Sequence, residues 1–498
     1  MATPGELNET YFASENGQAL RNEIRFDSLD NLDESGDFHE HVSKLQRRRK
    51  LGMQKVVHLA VGFFFLFAAY NTIQNYVTSL LPGCLGFTSL CVLYVSVCPS
   101  LMLAPSICKK LGDRYTLVLG SLCYAVWIAS LTRADNQWLV LGASVVIGFG
   151  AAILWVAQGS YLTSFGDSTN RSVLAGTFWS IYQCSGVMGN GGAYFVLNSI
   201  GGDDNSGLYA VGLALSVFAS LVFFCLTPLV KDASWEADEQ ASLLRSQARA
   251  TAGSIEVNRM DGYETDESST ILDDSPNAFA PVEEFKKEWA EISAKKMEFL
   301  CLSPLLFLTG YELAFVSGEF PIIFAPGKDQ KAAISLVFVV WAIAEVVSSY
   351  TVGKVSSIIG KRLTLTVGSF LFLVALSIVW QLHQDPRALG TFKGVSILAY
   401  VAGALFGVAD CTFNVIVLTK LGDLFPSRGT AGAFTAFQFL QNIASAIAFF
   451  LPVLFSNGGG DSCSSDNQSD TFKLVYMGSQ AAIVLLSLFG FWIIKSET

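Results

Sequence analysis

Gly112-Asp113-Arg114-Tyr115-Thr116-Leu117-Val118-Leu119-Gly120 returns as Gly360-Lys361-Arg362-Leu363-Thr364-Leu365-Thr366-Val367-Gly368, with five identities at identical spacing and an offset of 248 residues. A second pair of segments repeats at nearly the same distance. Thr163, Gly166, Asp167 and Arg171 correspond to Thr419, Gly422, Asp423 and Arg428 at an offset of 256, with one residue inserted before the Arg. Two independent matches at nearly one offset imply a duplicated unit.

On either side of these segments lie apolar runs. Half of the 498 residues are hydrophobic, 38 are Phe, and only 15% are charged, against roughly 25% in a soluble domain. An ordinary globular enzyme is excluded. A bilayer-spanning helix needs about 20 mostly apolar residues, and the chain offers twelve such stretches. The fold class is therefore an all-α membrane protein with twelve transmembrane helices in two six-helix halves. Parallel six-span halves related by an axis along the membrane normal are the plan of the major facilitator fold.

The net charge of −10 has a narrow source. Residues 1–43 hold ten carboxylates against two Arg, and residues 231–298 hold sixteen carboxylates against eight Lys or Arg, so each segment carries −8 and the rest carries +6. Both are rich in Ser, Asp, Glu and Asn and lack apolar periodicity, as disordered segments do. The expected order is an acidic tail ending in a basic cluster (1–55), a six-helix half (56–230), an acidic linker (231–297), a second six-helix half (298–494) and a short tail (495–498). No cleavable leader is expected, because the first apolar run, from about Val56, is long enough to be a span. Every Lys and Arg is assigned outside the apolar stretches. The cluster Lys44, Arg47, Arg48, Arg49, Lys50 and Lys55 precedes span 1. With that end inside, the same-side loops and tail hold ten more positive residues and the opposite loops six, which makes both termini and the linker cytosolic. No nucleic-acid partner is expected; the lipid bilayer is.

Ionisable groups inside a bilayer are expensive and are functional candidates by default. Four carboxylates fall in or at the edges of the spans: Glu312 and Glu319 in span 7, Glu345 in span 8 and Asp410 in span 10. Spans 1, 4, 7 and 10 line the central cavity of a major facilitator fold, so Glu312 and Asp410 are on the helices expected to face it, while Glu319 is nearer the outer interface and span 8 is not central. In span 1, Asn71, Gln74 and Asn75 stand at i, i+3 and i+4 and form one polar face. Glu312 and Glu319 are seven apart and Asp410 and Asn414 four apart, and each pair is expected to share a face. Span 4 adds Trp155, Gln158 and Tyr161; span 11 adds Gln438, Gln441 and Asn442. Desolvation favours the neutral form of a carboxyl group, which makes Glu312 and Asp410 the expected proton- or cation-coupling groups. Without Lys or Arg in the spans, an anionic substrate would lack a countercharge, and a small cation, proton or polar solute fits better. The bland alternative is that the Asn and Gln side chains tie helices together.

In the major facilitator architecture the loop after span 2 carries a Gly-Asp-Arg motif, here Gly112, Asp113 and Arg114, repeated in part at Arg362. It reads as a gate latch meeting neighbouring helix ends, or as turn and positive-inside residues. Because Lys361 replaces the Asp in the second half, any latch is expected to be one-sided.

FLFAAYNTIQNYVTSL (65–80), GFGAAILWVAQGSYLT (148–163), TGYELAFVSGEF (309–320), ALFGVADCTFN (404–414) and AFTAFQFLQNIASAIAFF (433–450) resemble the Unc-93-like branch of the major facilitator superfamily. The resemblance covers most spans, and Leu154-Trp155-x-x-Gln158-Gly159-x-Tyr161-Leu162-Thr163 is its specific motif. It implies a twelve-span protein in a group whose members include an ion-channel regulatory subunit and a trafficking chaperone for receptors.

Glu239-x-x-x-Leu243-Leu244 fits an acidic dileucine sorting signal toward endosomes or lysosomes; the plasma membrane is the other expected location. Asn467-Gln468-Ser469 is the sequon with the right topology for glycosylation, whereas Asn8 and Asn170 face the cytosol. Of ten Cys, Cys84 and Cys463 are on the outward side and could pair, joining the halves near spans 2 and 11. Gly142, Gly148, Gly150, Gly186 and Gly189 are expected to permit close helix packing. Without Cys-x-x-Cys, His-Glu-x-x-His or Gly-x-x-x-x-Gly-Lys, neither a metal, a cofactor nor an enzymatic activity is expected. Two readings stand: a secondary transporter working by alternating access, or a non-transporting regulatory subunit or chaperone for a channel or receptor.

Overall fold

The computed structural model describes residues 35–165, 171–199, 206–227, 293–325, 330–425, 429–456, 463 and 469–494. Glu239, Leu243, Leu244 and Asn467 lie outside these, as do residues 1–34 and most of the 231–297 segment. In the first half run α1 (Ser35–Leu80), α2 (Leu85–Leu111), α3 (Asp113–Leu131), α4 (Gln137–Thr163), α5 (Arg171–Ser199) and α6 (Ser206–Phe224). The second half has α7 (Lys296–Phe324), α8 (Lys331–Ile359), α9 (Lys361–Gln384), α10 (Ile397–Leu424), α11 (Gly429–Leu454) and α12 (Asp470–Ile493). A small antiparallel hairpin, β1 (Thr391–Phe392) and β2 (Val395–Ser396), joins α9 to α10. Eleven of the helices are long and apolar enough to cross a membrane. The exception, α5, is 29 residues long, but Gln183, Asn190 and several glycines interrupt its apolar run.

Capping side chains start three of these helices. Asn136, Ser396 and Ser469 accept hydrogen bonds from the backbone N–H groups of Leu139, Leu398 and Phe472 at 3.1–3.2 Å, satisfying donors that a helix start leaves open. The Ser469 cap begins α12 earlier than its apolar run, so Lys473, assigned to a loop from the sequence, is inside the helix and only 2% exposed. Its Nζ lies 3.4 Å from His383 Nδ1, and His383 Nε2 lies 2.8 Å from Asp470.

The sequence repeat is a structural repeat. Gly112 and Gly360 both take positive φ, +77° and +86°, the conformation that glycine supplies without strain where one helix ends and the next begins. Thr116 and Thr364 each donate a hydroxyl hydrogen bond to that glycine's carbonyl at 2.9 Å. Leu117 and Leu365 are fully buried. A Cβ on Gly120 would stand 2.9 Å from Leu154 on α4, and one on Gly368 2.6 Å from Thr412 on α10. The arginines reach the last helix of their own half: Arg114 covers the Phe224 ring at the end of α6, and Arg362 covers Trp492 and donates to the Ile494 carbonyl at 2.6 Å.

Two seams join the halves, α2 against α11 and α5 against α8. The end of the bundle where α1 starts and most loop cations lie is called the basic end. At the opposite end the halves are tied directly. Gln74 donates to Ser317 at 3.3 Å, Thr78 to the Gly318 carbonyl at 3.0 Å, and Tyr76 to the Lys331 carbonyl at 3.0 Å while accepting from the Ser335 hydroxyl. Cys84 and Cys463 form a disulfide across 379 residues of sequence. Large apolar side chains such as Met102, Phe195 and Leu485 are more than half exposed on the outer faces, as expected where lipid is the surrounding solvent.

Of the glycines expected to permit close packing, Gly148, Gly150 and Gly189 do: an added Cβ would fall 2.2–2.5 Å from the facing helix. Gly186 is tight against Ala342, but Gly142 faces open space and does not have that role.

The disulfide carries a direct prediction. With a protease site inserted near residue 260, cleavage should leave the two halves migrating as one species without reductant and as two with it. A Cys84→Ser variant should separate without reductant; separation of the parent chain under the same conditions would refute the bond.

Candidate functional site

Three carboxyl groups meet near the middle of the bundle. Asp410 on α10 lies within hydrogen-bonding reach of both Glu312 on α7 and Glu345 on α8. Glu312 and Glu345 are buried, at 1% and 7% exposure, and Asp410 is partly buried. An ionised carboxylate only accepts hydrogen bonds, and with all three ionised neither oxygen of Glu312 has a donor. The contacts become hydrogen bonds when a proton is held between the groups. Two side chains donate to the acids: Asn414 Nδ2 gives Asp410 a bond of 2.8 Å, and Gln183 Nε2 on α5 gives Glu345 one of 2.7 Å. The latter crosses between halves. On the first-half side, Tyr182 hydrogen-bonds Asn71 of α1 and lies in the electrostatic field of Glu345 and Asp410.

The sequence-derived candidates divide. Asn71, Glu312, Asp410 and Asn414 come together as expected. Glu345, discounted because span 8 is not central, joins them through the α5–α8 seam, and Gln183 and Tyr182 were missed altogether. The only available signal was the polarity of α5, which lacks the apolar window that the other eleven helices have. Gln74 turns away to Tyr94 at 3.1 Å and Ser317, and Asn75 is buried beside it. Gln441 donates to Thr309 at 3.3 Å, and Asn442 donates to the carbonyl of Gln438 on its own helix at 2.6 Å. Gln441 therefore acts as a helix tie, the bland reading, whereas the Asn442 bond stays within α11. Gly310 permits that approach, since a Cβ there would lie 1.9 Å from the Gln441 carbonyl.

In α4, Trp155 is part of an aromatic cluster with Phe63, Phe67, Trp179 and Tyr182, and Gln158 is buried. Tyr161 is at the basic end, its hydroxyl 3.3 Å from the Thr227 carbonyl and its ring against Phe165. It does not reach the acids. Glu319 does not share a face with Glu312 either. A π-helical turn over Phe315–Glu319 breaks the α-helical period between them, and Glu319 lies in the field of Tyr476 on α12. Such a turn adds a residue to the helix and rotates the next turns about the axis.

At the basic end, Asp113 accepts a hydrogen bond from Ser160 at the end of α4 at 3.0 Å. The expectation of a one-sided latch does not hold, because Lys361 pairs with Asp423 at the end of α10. A polar tie survives in both halves with its chemistry changed from acid–hydroxyl to ion pair. Each of these ties, like those of Arg114 and Arg362, stays within one half. Among the described residues no three His, Cys, Asp or Glu side chains are grouped to hold a metal ion.

Twelve helices in two repeated halves, tied at one end and enclosing polar groups midway, define the class as a membrane protein of the major facilitator fold. Its architecture superposes on that of a D-xylose-proton symporter with a TM-score of 0.62, covering 89% of this chain and 98% of that one at 10% identity. Within that class the chain belongs to the UNC-93 family, whose model, described as ion channel regulatory protein UNC-93, matches residues 81–456. The UNC93-like protein MFSD11 of Xenopus tropicalis is 26% identical over 420 residues, spanning 79% of this chain and 88% of that protein. The putative potassium channel regulatory protein unc-93 of Caenorhabditis elegans is 24% identical over 84% of this chain and 59% of its own length.

The Gln183–Glu345 bond should be measurable by a double-mutant cycle on thermal unfolding in detergent. Gln183→Leu and Glu345→Leu are expected to show a coupling energy of about 0.6–2 kcal/mol, the range of hydrogen bonds between membrane helices. Strict additivity would show that the two side chains do not meet.

Proposed function

We propose that this chain is a secondary transporter, not an enzyme, which moves a small cation or polar solute by alternating access and couples it to a proton held among Glu312, Glu345 and Asp410. The observation that carries this reading is the acid cluster itself. Three carboxyl groups from three helices meet in the bundle interior, where ionising them together is costly. A proton or cation must neutralise them, and one acid is hydrogen-bonded across the seam between the halves. Gain or loss of a proton there changes a contact that rocking of the halves would break. The ties at the end opposite the basic one suit a state closed on that side. With the basic end cytosolic, as the Lys and Arg distribution implies, that closed side is extracellular or lumenal, and the Asn467 sequon belongs to a loop on the side where glycosylation takes place.

The alternative, a non-transporting regulatory subunit or chaperone, draws support for its regulatory form from the family's description and from the name of the nematode relative. In that role the acids would serve packing alone, and their substitution would leave binding to a channel or receptor intact.

Reconstituted into vesicles with a pH gradient, the protein should drive solute or cation uptake, and Glu312→Gln or Asp410→Asn should reduce it about 100-fold or more with unchanged abundance. Absence of flux across a broad cation and solute screen, with a stoichiometric membrane partner recovered in mild detergent, would replace transport by the regulatory reading. Orientation is checked separately. Peptide N-glycosidase should increase the mobility of the cell-expressed chain but not of Asn467→Gln; an unshifted parent would count against the assigned topology.

A further inference from the structure

The acid cluster lies beside Tyr182 of the first half, which packs against the rings of Trp155 and Trp179. Residues 179, 182 and 183 stand at i, i+3 and i+4 on α5, so Trp179 shares a helix face with Tyr182, which lies beside the acids, and with Gln183, which bonds one of them. Trp179 lies one turn nearer the basic end. Its ring stacks on Trp155 of α4 at 5.9 Å between centroids and 17° between planes. Tyr182 stands edge-on to both, at 5.7 Å and 72° from Trp155 and at 5.2 Å and 87° from Trp179.

A purely structural aromatic core would be closed. This one is not: Trp179, on the α5 face that carries Tyr182 and Gln183, is 39% exposed, and Trp155, stacked on it, is only partly covered. The exposed stripe of α5 that faces away from the protein runs through Ser180, Cys184 and Met188, and Trp179 stands about 100° from it around the helix. Its open surface therefore adjoins the face that leads to the acids. Among the described residues, the Lys and Arg side chains that lie over rings cover Tyr115, Phe165, Phe224, Tyr350 and Trp492, and none covers Trp155, Trp179 or Tyr182.

Accessible ring faces on one wall and carboxyl groups on the other are the two elements that hold an organic ammonium group: the ring quadrupole attracts the cation and a carboxylate pairs with it. A neutral sugar or alcohol would use the rings but leave the acids to be neutralised by protons alone. We infer that organic ammonium compounds bind between Trp155, Trp179 and Tyr182 on one side and Glu312, Glu345 and Asp410 on the other, with the cation against the acids and the apolar part on the indole rings. This deepens the transport reading by naming its solute class, and rests on that reading only for the claim that the bound compound is moved.

Intrinsic tryptophan fluorescence of the purified full chain, titrated with 2-phenylethylammonium and with its neutral counterpart 2-phenylethanol, tests it. The ammonium should give a saturable change with at least about tenfold tighter binding than the alcohol. Trp179→Ala should weaken it about tenfold and Trp179→Phe much less, while Asp410→Asn should remove the preference for the charged compound. Trp138, 84% exposed beyond the site at the start of α4, supplies the control, and Trp138→Phe should leave the response unchanged. Equal binding of the alcohol, no saturation by about 1 mM ammonium, or loss of the response in Trp138→Phe would overturn the inference. The two readings fail separately. Ammonium binding without flux sinks transport and leaves the site standing, whereas proton-driven flux of another solute that 2-phenylethylammonium does not inhibit sinks the site and leaves transport.

Discussion

The contact of Asp410 with Glu312 and Glu345 is the constraint around which the interior is arranged. Carboxylates repel one another and lose hydration inside the bundle, so the cluster is stable only with protons or a cation among its members. Its surroundings fit that requirement. Asn414 and Gln183 donate to acid oxygens from opposite halves, and Asn71 fixes Tyr182 beside them. Buried polar networks of this kind are worth keeping only when their members are satisfied, and here satisfaction depends on both halves being in place.

That dependence gives the two sorts of contact different roles. Those of the repeated Gly-x-Arg-x-Thr-Leu motif build each half: a positive-φ glycine turns the chain, a threonine bonds back to it, and an arginine reaches the sixth helix of the same unit. Contacts between halves are concentrated along two helix seams, at the end tied by Gln74, Tyr76 and Thr78, and at the disulfide. Rigid halves with a distinct set of ties between them are the mechanical requirement of a rocking bundle. They also suit a scaffold whose outer faces meet another membrane protein.

The ion pair of Lys361 with Asp423 shows how the halves diverged. In the first half Asp113 is held by Ser160; in the second a lysine stands at the acid's position, and an acid on the partner helix compensates. The side chains are partly exposed, so the pair is worth at most about 1 kcal/mol. It holds position more than it stabilises.

Periodic features were legible in the sequence. An apolar run of about 20 residues has one stable solution in lipid, and a five-residue identity at a fixed offset reports a duplicated fold wherever it lies. The presence of Glu312, Asp410 and Asn71 inside the bundle was legible as well, because unpaired polar groups there are too costly to be accidental. Partners were a different matter. Helical spacing tells which residues share a face but not which helix that face meets, so it leaves Glu345 off the central helices and does not single out Gln183 or Tyr182. Gln74 and Gln441 were assigned to a cavity when they bind neighbouring helices. Glu312 and Glu319 were placed on one face because a regular helix was assumed, and the π turn at Phe315–Glu319 rotates them apart. Burial and composition are properties of a chain segment, and the sequence determined them; the pairing of acid with acid, and of half with half, depends on side chains distant in sequence, and only the tertiary structure decided it.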